Sequence, residues 1–176
     1  MNNEILHDAS YTIGQVVMMT GLTDRTIRNY LSLGFLDGEK QDGQWRFTAE
    51  QLEAFMRHPS VKPSISAKKN ALIYDFLTDT RSHGNDACLV LDVSKEHRTA
   101  VMEFFCKEIS NGNDQNIHFS YEEVDHIGRV ILRGSFPDVL RLCNAWAAAK
   151  AATSCVPFSV ICFTPEGPGT FTAAVA

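Results

Sequence analysis

The sequence lacks the patterns that would mark a secreted or membrane-spanning protein. No apolar run approaches the ~18 residues of a transmembrane helix. The N-terminal stretch MNNEILHDAS is polar and acidic, unlike a secretory signal peptide. The five cysteines are widely spaced and contain no C-x-x-C pair, so neither a zinc ribbon nor a disulfide framework is indicated. We therefore expect a cytoplasmic protein without a membrane partner.

Patterns of catalytic chemistry are also missing. The chain contains no G-x-S-x-G, P-loop or H-E-x-x-H motif. Glu122 and Glu123 are adjacent in a predicted strand, so their side chains point to opposite faces and cannot act as an acid/base pair. We expect no enzyme activity and no cofactor. The net charge of −5 argues against general binding of polyanions, so any DNA binding must come from the local placement of basic residues.

What the chain does contain is a stretch from residue 11 to residue 47 that predicts two short helices and a basic hairpin. Thr12 is an N-cap residue for the first helix, and Gly21 ends that helix because glycine adopts the left-handed conformation at little cost. Thr23 caps a second helix, which Gly34 ends. Two short helices joined by a tight turn are typical of a helix-turn-helix, whose second helix enters the major groove.

The second helix carries side chains that are suited to DNA. Arg25 and Arg28 lie three residues apart and so share one face, with Asn29 and Tyr30 beside them. Arginine can bind a guanine edge with two hydrogen bonds, and asparagine can bind an adenine edge. A tyrosine hydroxyl or an arginine can equally hold a phosphate, which positions the protein without specifying sequence.

A turn-rich segment, DGEKQDG, leads from this helix to Gln44–Phe47 and predicts a short two-stranded wing. Lys40 and Arg46 on this wing are available to the phosphate backbone. The candidate DNA-contacting residues are therefore Thr23, Arg25, Thr26, Arg28, Asn29, Tyr30, Lys40 and Arg46.

This stretch resembles the winged helix-turn-helix of the MerR family of bacterial transcription regulators. The matching residues are Tyr11 and Ile13, Thr20-Gly21-Leu22, Thr26-Ile27-Arg28, Tyr30, Gly34-Phe35-Leu36, Trp45-Arg46-Phe47, Gln51-Leu52 and Phe55. The resemblance implies that Arg28 and Tyr30 contact double-stranded DNA from the recognition helix and Arg46 from the wing. The wing sequence GQWRF also resembles those of excisionase-type DNA-binding proteins.

The charge of this module leaves a second interpretation open. Between residues 11 and 62 the basic residues equal the acidic ones in number, whereas phosphate neutralisation supplies much of the affinity for DNA. The alternative is a non-DNA adaptor protein whose helix-turn-helix module docks on a protein partner. Salt dependence separates the two, because DNA binding falls steeply as salt rises.

A capping box at Thr48 opens a helix that ends before Pro59. The stretch 60–66 is predicted to be a linker, because it contains a second proline, Pro63. A helix follows from about Ser66 to Arg81, and it is either a connector or part of a dimer contact. Its predicted inner stripe is Leu72, Ile73, Phe76 and Leu77. Lys68 and Lys69 lie on the other side, where a solvated face is favoured and contact with DNA is the alternative.

After residue 84 the pattern changes to alternating strands and helices, so the whole chain is predicted to be of the α+β class. The order is strand, helix, strand, strand, helix, strand, which is the ferredoxin-like β-α-β-β-α-β unit. Right-handed crossovers place both helices on one face of a four-stranded antiparallel sheet. The predicted strands are 87–93, 117–125, 129–133 and 157–164, and the predicted helices are 94–110 and 135–152.

The first and last strands of this unit are apolar at almost every position, which indicates burial on both faces. The last strand should lie at a sheet edge, and an apolar edge invites covering. We expect the open face or edge to be closed by a second subunit, by the connector helix or by a small-molecule effector. A homodimer is the leading interpretation, because two-fold dimers are the commonest oligomers and paired recognition helices suit a palindromic site.

The remaining candidates are polar clusters and cysteines. Cys88, Cys143, Cys155 and Cys162 fall on or near predicted core elements, where they act as small buried hydrophobes; a metal or redox sensor is the alternative. His118, Glu122, Glu123, Asp125 and His126 crowd one hairpin, which favours an exposed polar turn over a metal site. Trp146, Phe158, Phe163 and Tyr121 are expected in the core, with an apolar ligand pocket as the alternative.

The sequence thus predicts five segments. They are a disordered tail over 1–10, a helix-turn-helix DNA-binding domain over 11–58, a linker and connector helix over 59–83, a ferredoxin-like domain over 84–166 that dimerises or senses a small molecule, and a tail over 167–176.

Overall fold

The computed structural model describes residues 10–78, 85–94, 97–112, 116–124, 127–151, 159–164 and 167–171, with the backbone alone from residue 150 onward. The predictions for the tail 1–9, for Cys155 and Phe158, and for Asp125 and His126 lie outside these residues. So do the side chains of Cys162 and Phe163.

The N-terminal part is a winged helix-turn-helix, as predicted. Its helices and strands are β1 (Tyr11–Thr12), α1 (Ile13–Thr20), α2 (Asp24–Ser32), β2 (Glu39–Gln41), β3 (Gln44–Phe47) and α3 (Ala49–Arg57). Thr12 caps α1 and Thr48 caps α3, each in a reciprocal capping box with the glutamine three residues later. Gly21 ends α1 with φ of 68°, the left-handed conformation expected of it.

The wing has one strand more than the sequence predicted. The three strands are ordered β1-β3-β2, and Tyr11 pairs with Phe47 in the antiparallel ladder between β1 and β3. A two-residue strand carries no periodicity of its own, so the sequence could not reveal it. Its pairing ties the start of α1 to the wing, and Tyr11 and Phe47 are both buried there.

The connector helix α4 (Lys62–Thr78) begins earlier than the predicted Ser66. The second proline, Pro63, lies in its first turn, where the missing N–H costs no hydrogen bond. The linker predicted over 60–66 is therefore wrong for most of its length. The prediction that Lys69 is solvated is also wrong, since its side chain is 2 % exposed. Leu77, placed in the inner stripe, is instead 57 % exposed.

The C-terminal part confirms the α+β class. Its elements are β4 (Asp86–Val93), α5 (Arg98–Asn111), β5 (His118–Val124), β6 (Ile127–Ser135), α6 (Phe136–Ala151), β7 (Ser159–Thr164) and β8 (Gly167–Phe171). The five strands pair antiparallel in the order β5-β6-β4-β7-β8. Strands β4 to β7 have the sheet order of the ferredoxin-like unit. The helix expected from residue 94 begins instead at Arg98.

The last predicted strand does not lie at the sheet edge. A fifth strand, β8, pairs with it, with Val160 opposite Phe171 and Thr164 opposite Gly167. The expectation that 167–176 is a tail is therefore wrong for residues 167–171. The glycines and proline of this segment read as a loose end in the sequence, whereas an apolar neighbouring strand offers a ladder that composition does not reveal.

The two faces of the sheet are covered by different helices. On one face α5 and α6 pack through Phe105, whose ring lies 5.8 Å from that of Phe119 on β5 and 6.1 Å from that of Trp146 on α6. On the opposite face α4 packs Phe76 against Cys88 and Ile131. The connector helix therefore covers part of this face, and it is one of the three coverings that we expected.

The winged module packs along the outer strand β5. The Ser120 hydroxyl donates a buried 3.1 Å hydrogen bond to the Met19 carbonyl, one of the last carbonyls of α1 that lack a partner within the helix. The α1 helix thus covers the edge of β5 that would otherwise remain open.

The described cysteines lie in the core or against it. Cys88 and Cys106 are buried and Cys143 is partly buried. Burial raises the pKa of the Cys106 thiol to about 12, which disfavours the thiolate needed for redox or metal chemistry. Among the described residues no three histidine, cysteine or acidic side chains are placed to hold a metal ion. No described helix has the length and hydropathy of a membrane span.

Candidate nucleic-acid interface

The outer face of α2, formed by Arg25, Arg28 and Asn29, is exposed. Ile27 is the one fully buried residue of this helix and anchors it to the module. Positions 25, 28 and 29 follow the i, i+3, i+4 spacing of a single helix face. The structure therefore groups three of the sequence-predicted residues on one accessible surface.

Thr23 and Thr26 shape the beginning of α2. The Thr23 hydroxyl accepts a 3.2 Å hydrogen bond from the Thr26 backbone N–H, and the two side-chain oxygens lie 2.8 Å apart. Such a cap satisfies one of the free N–H groups of the first turn and fixes where the helix starts. Both threonines thus have a structural role at the end of the helix nearest Arg25.

Tyr30 lies on the inner side of α2 and is only partly exposed. Its ring lies 5.8 Å from that of Phe35 and makes an edge contact with Phe55 at 5.6 Å between centroids. Aromatic pairs at these separations stabilise a core beyond the area that they bury. The ring therefore fixes α2 against α3, which limits any DNA contact by Tyr30 to its hydroxyl.

Arg28 is held by Asp24, which is not among the sequence-predicted residues. Its Nε donates to Asp24 Oδ1 at 2.6 Å, and its Nη2 donates to Oδ2 at 3.3 Å. This hydrogen bond, with the attraction of the charge, raises the pKa of Arg28 above its usual value. The pair is exposed to water, with 57 % and 54 % of the two side chains accessible. The i, i+4 spacing of Asp24 and Arg28 was the signal that would have revealed it.

The two wing cations have different settings. The Lys40 ammonium lies 5.2 Å from the centre of the Trp45 ring, a cation–π distance. Arg46 is partly buried, and its Nη2 donates a 3.4 Å hydrogen bond to the Gln44 side chain. Lys40 is exposed and Arg46 retains further N–H donors, so both can still reach a phosphate.

Two features of the backbone position the wing. Asp42 and Gly43 both have positive φ, 51° and 79°, as the tight turn of a two-residue hairpin requires. At Gly38 an added Cβ would lie 2.5 Å from the Phe47 ring. The chain that leads from α2 into the wing therefore passes so close to the core that only glycine fits.

The comparisons with known proteins agree with this geometry. Residues 11–57 match the family of MerR HTH family regulatory proteins. No curated protein matches the chain, and no solved structure matches it either. The matched residues run from β1 to the end of α3 and so cover the whole winged module. Residues 11–57 are therefore a MerR-like helix-turn-helix domain, the domain of a DNA-binding transcriptional regulator.

Proposed function

We propose that the protein binds a specific sequence of double-stranded DNA through the outer face of α2, with Arg25, Arg28 and Asn29 reading base edges in the major groove. The observation that carries this proposal is that α2 has a buried face and an exposed face. Ile27 is buried, whereas the three side chains named above are exposed. Their guanidinium and amide groups match the hydrogen-bonding patterns of guanine and adenine.

The Arg28–Asp24 pair is compatible with such binding. An ion pair this exposed contributes little to stability, because water competes for both partners. Arg28 can therefore exchange Asp24 for a guanine edge or a phosphate at small cost. Asp24 keeps the side chain extended along α2 in the free protein and repels phosphate, so it tunes binding without making a favourable contact to DNA.

The other predicted residues position the protein on the DNA. Lys40 and Arg46 contact the phosphate backbone from the wing, and the Tyr30 hydroxyl does so from α2. Thr23 and Thr26 present the start of α2, where free N–H groups favour an anion. Contacts of this kind set register and orientation but carry no sequence information.

The test is fluorescence anisotropy with a labelled duplex from the DNA upstream of the protein's own gene, against a shuffled duplex of the same composition. We expect tighter binding to the upstream duplex, and a loss of about tenfold or more in Arg28→Ala. Lys107→Ala is the matched control, because Lys107 is an exposed basic residue on α5, outside the module. Equal binding to both duplexes, or equal losses in both variants, would favour the adaptor alternative.

We further propose that the protein is a homodimer. The outer side of α4 exposes Tyr74 by 66 % and Leu77 by 57 %. These residues lie three apart on one helix face, and adjacent exposed apolar groups are typical of contact surfaces. A two-fold contact would pair two recognition helices for a palindromic site. Sedimentation equilibrium tests this: we expect a dimer in the wild type and a monomer in Leu77→Glu, and a monomeric wild type contradicts it.

The C-terminal α+β domain is proposed to sense a small-molecule effector. Its strand β5 contacts α1 directly through the Ser120–Met19 hydrogen bond. A ligand that prefers one arrangement of the two parts would shift the population toward that arrangement and so change the presentation of α2.

A further inference from the structure

A cleft of about 500 Å³ lies where the winged module meets the C-terminal domain. We call it the junction cleft. Its walls come from α3, the first half of α4, the start of α5 and the end of β5. Its volume is within the range of sites for small organic ligands. It differs from the DNA-binding surface in position and in its lining.

The junction cleft is lined by more cationic than acidic side chains, although the whole chain is acidic. The cationic residues are Arg57, Lys62, Lys69 and Arg98, and the acidic residues are Glu53, Glu122 and Glu123. Charges that are screened from water interact more strongly than exposed ones, and here Lys69 and Arg98 are largely buried whereas Lys62 is exposed. The local excess of positive charge therefore favours an anion over a cation.

Both arginines of the cleft form ion pairs with residues of the protein itself. Arg57 on α3 donates to Glu123 on β5, with Nε at 2.8 Å and with Nη2. Arg98 on α5 binds the same Glu123 oxygen at 2.6 Å and lies 3.8 Å from Glu53. The Arg57–Glu123 and Arg98–Glu53 contacts join the winged module to the C-terminal domain, and all four residues line the cleft.

The two lysines retain hydrogen-bonding capacity. The Lys69 side chain is 2 % exposed, and its one ion pair among the described residues is with Glu122, at 3.1 Å. An ammonium has three donors, so two remain. Lys62 is exposed at the mouth and has no ion pair among the described residues. Burial lowers the pKa of the Lys69 ammonium, and the positive charges of Arg129 and Lys62 lower it further.

Part of the remaining lining is apolar. Ile65 is 3 % exposed and Tyr121 is 1 % exposed, and Met56 is partly buried beside them. These side chains and the lysines approach the same space. A few convergent polar groups beside an apolar wall are what orients an amphipathic ligand in a pocket.

We propose that the junction cleft binds a small organic anion, with Lys62 and Lys69 binding its carboxylate, sulfonate or phosphate group and with Met56, Ile65 and Tyr121 contacting its apolar body. The anion supplies the acceptors that the Lys69 ammonium lacks and a partner for Lys62. Binding of the anion does not depend on the DNA-binding function; only its use as an effector rests on that proposed function.

Such a ligand would act on the contacts that hold the two parts together. An anionic group beside Arg57 competes with Glu123 for that guanidinium, and the Arg57–Glu123 pair joins α3 to β5. Since α3 packs against α2 through the Phe55–Tyr30 contact, a change at the cleft is transmitted to the recognition helix through side chains in direct contact.

The probe that tests the proposal is 8-anilinonaphthalene-1-sulfonate, a fluorescent aromatic sulfonate, titrated against the full chain. We expect saturable binding of one probe per protein chain. N-phenyl-1-naphthylamine, which has the same aromatic body without the sulfonate, should bind more weakly. Because this sulfonate also binds partly unfolded proteins, each variant must retain a cooperative urea transition.

Two lysine variants locate the site. Lys62→Gln should raise the dissociation constant of the sulfonate about fivefold, the effect expected for the loss of one charge-assisted contact. Lys68→Gln is the matched control: it is an exposed lysine on the same helix that lies outside the junction cleft. Absence of binding, equal effects of the two variants, or insensitivity of binding to the sulfonate would each overturn the proposal.

A second titration tests whether binding of the sulfonate at the junction cleft changes the affinity for DNA. The affinity for the upstream duplex is measured with and without saturating sulfonate, using a dye on the DNA that does not overlap with the probe. A change of about threefold or more that is lost in Lys62→Gln supports an effector site. If the sulfonate binds but DNA affinity does not change, the effector role is overturned while the binding site stands. Failure to bind DNA at all refutes the proposed function alone.

Discussion

Two regions of this protein use the same chemistry, an acidic side chain beside a basic one, in opposite environments. On the outer face of α2 the Asp24–Arg28 pair is more than half exposed. At the junction cleft Lys69, Glu122, Arg98 and Glu123 are between 2 % and 22 % exposed. Exposed pairs exchange partners at little cost, whereas a buried charge that loses its partner has no solvent to replace it. The first arrangement suits contact with DNA, and the second suits a junction whose contacts change only when another charged group replaces the lost partner.

The largest effect should follow from removing the partner of the buried lysine. In Glu122→Met the Lys69 ammonium loses its one described ion pair, and we expect the free energy of unfolding at pH 7 to fall by roughly 3 kcal/mol. Urea denaturation measures this. The double variant Lys69→Met with Glu122→Met should recover most of the loss, because it leaves no uncompensated charge. A single variant as stable as the wild type would remove the contrast between the two regions.

The pH dependence of the free energy of unfolding should reveal the burial of Lys69. Desolvation lowers the pKa of Lys69 to about 8, whereas the unfolded side chain keeps its proton up to about 10.5. Between these values the unfolded state binds more protons, so stability rises with pH. We expect the wild type to gain on the order of 2 kcal/mol between pH 8 and pH 10 relative to Lys69→Met with Glu122→Met. A constant or falling difference would show that Lys69 is not desolvated.

The smallest effect concerns the exposed pair. Asp24→Asn removes a negative charge that faces the phosphates and frees Arg28, so we expect affinity for the upstream duplex to rise about threefold. The urea midpoint should remain nearly unchanged, since the pair is exposed. Weaker DNA binding in this variant would mean that Asp24 positions Arg28 productively rather than holding it back.

The local features of the winged module could be predicted from the sequence. Thr12, Thr48 and Gly21 act within a few residues of themselves, so their roles follow from caps and left-handed turns alone. The Arg25 and Arg28 spacing likewise fixes a helix face without reference to the rest of the chain. The repeating strand and helix patterns were enough to give the ferredoxin-like order.

What the sequence did not reveal depends on contacts between distant segments. In the sequence Lys69 resembles the solvated Lys68 beside it. Its partner Glu122 is 53 residues away along the chain, and only the packing of α4 against β5 brings the two side chains within 3.1 Å. The sequence of β8 is typical of a loose tail, and only the pairing with β7 makes it a strand. The junction cleft was missed for the same reason: its walls come from four elements that are separated along the chain.

The measurement that tests the central claim most directly is the salt dependence of binding to the upstream duplex. If the outer face of α2 and the wing exchange their protein contacts for DNA, affinity should fall at least about tenfold between ~50 and ~200 mM salt, and the slope should be shallower in Arg25→Ala and Arg28→Ala than in the Lys107→Ala control. Affinity that does not depend on salt, or slopes that are identical in all three variants, would contradict the assignment of this surface to DNA.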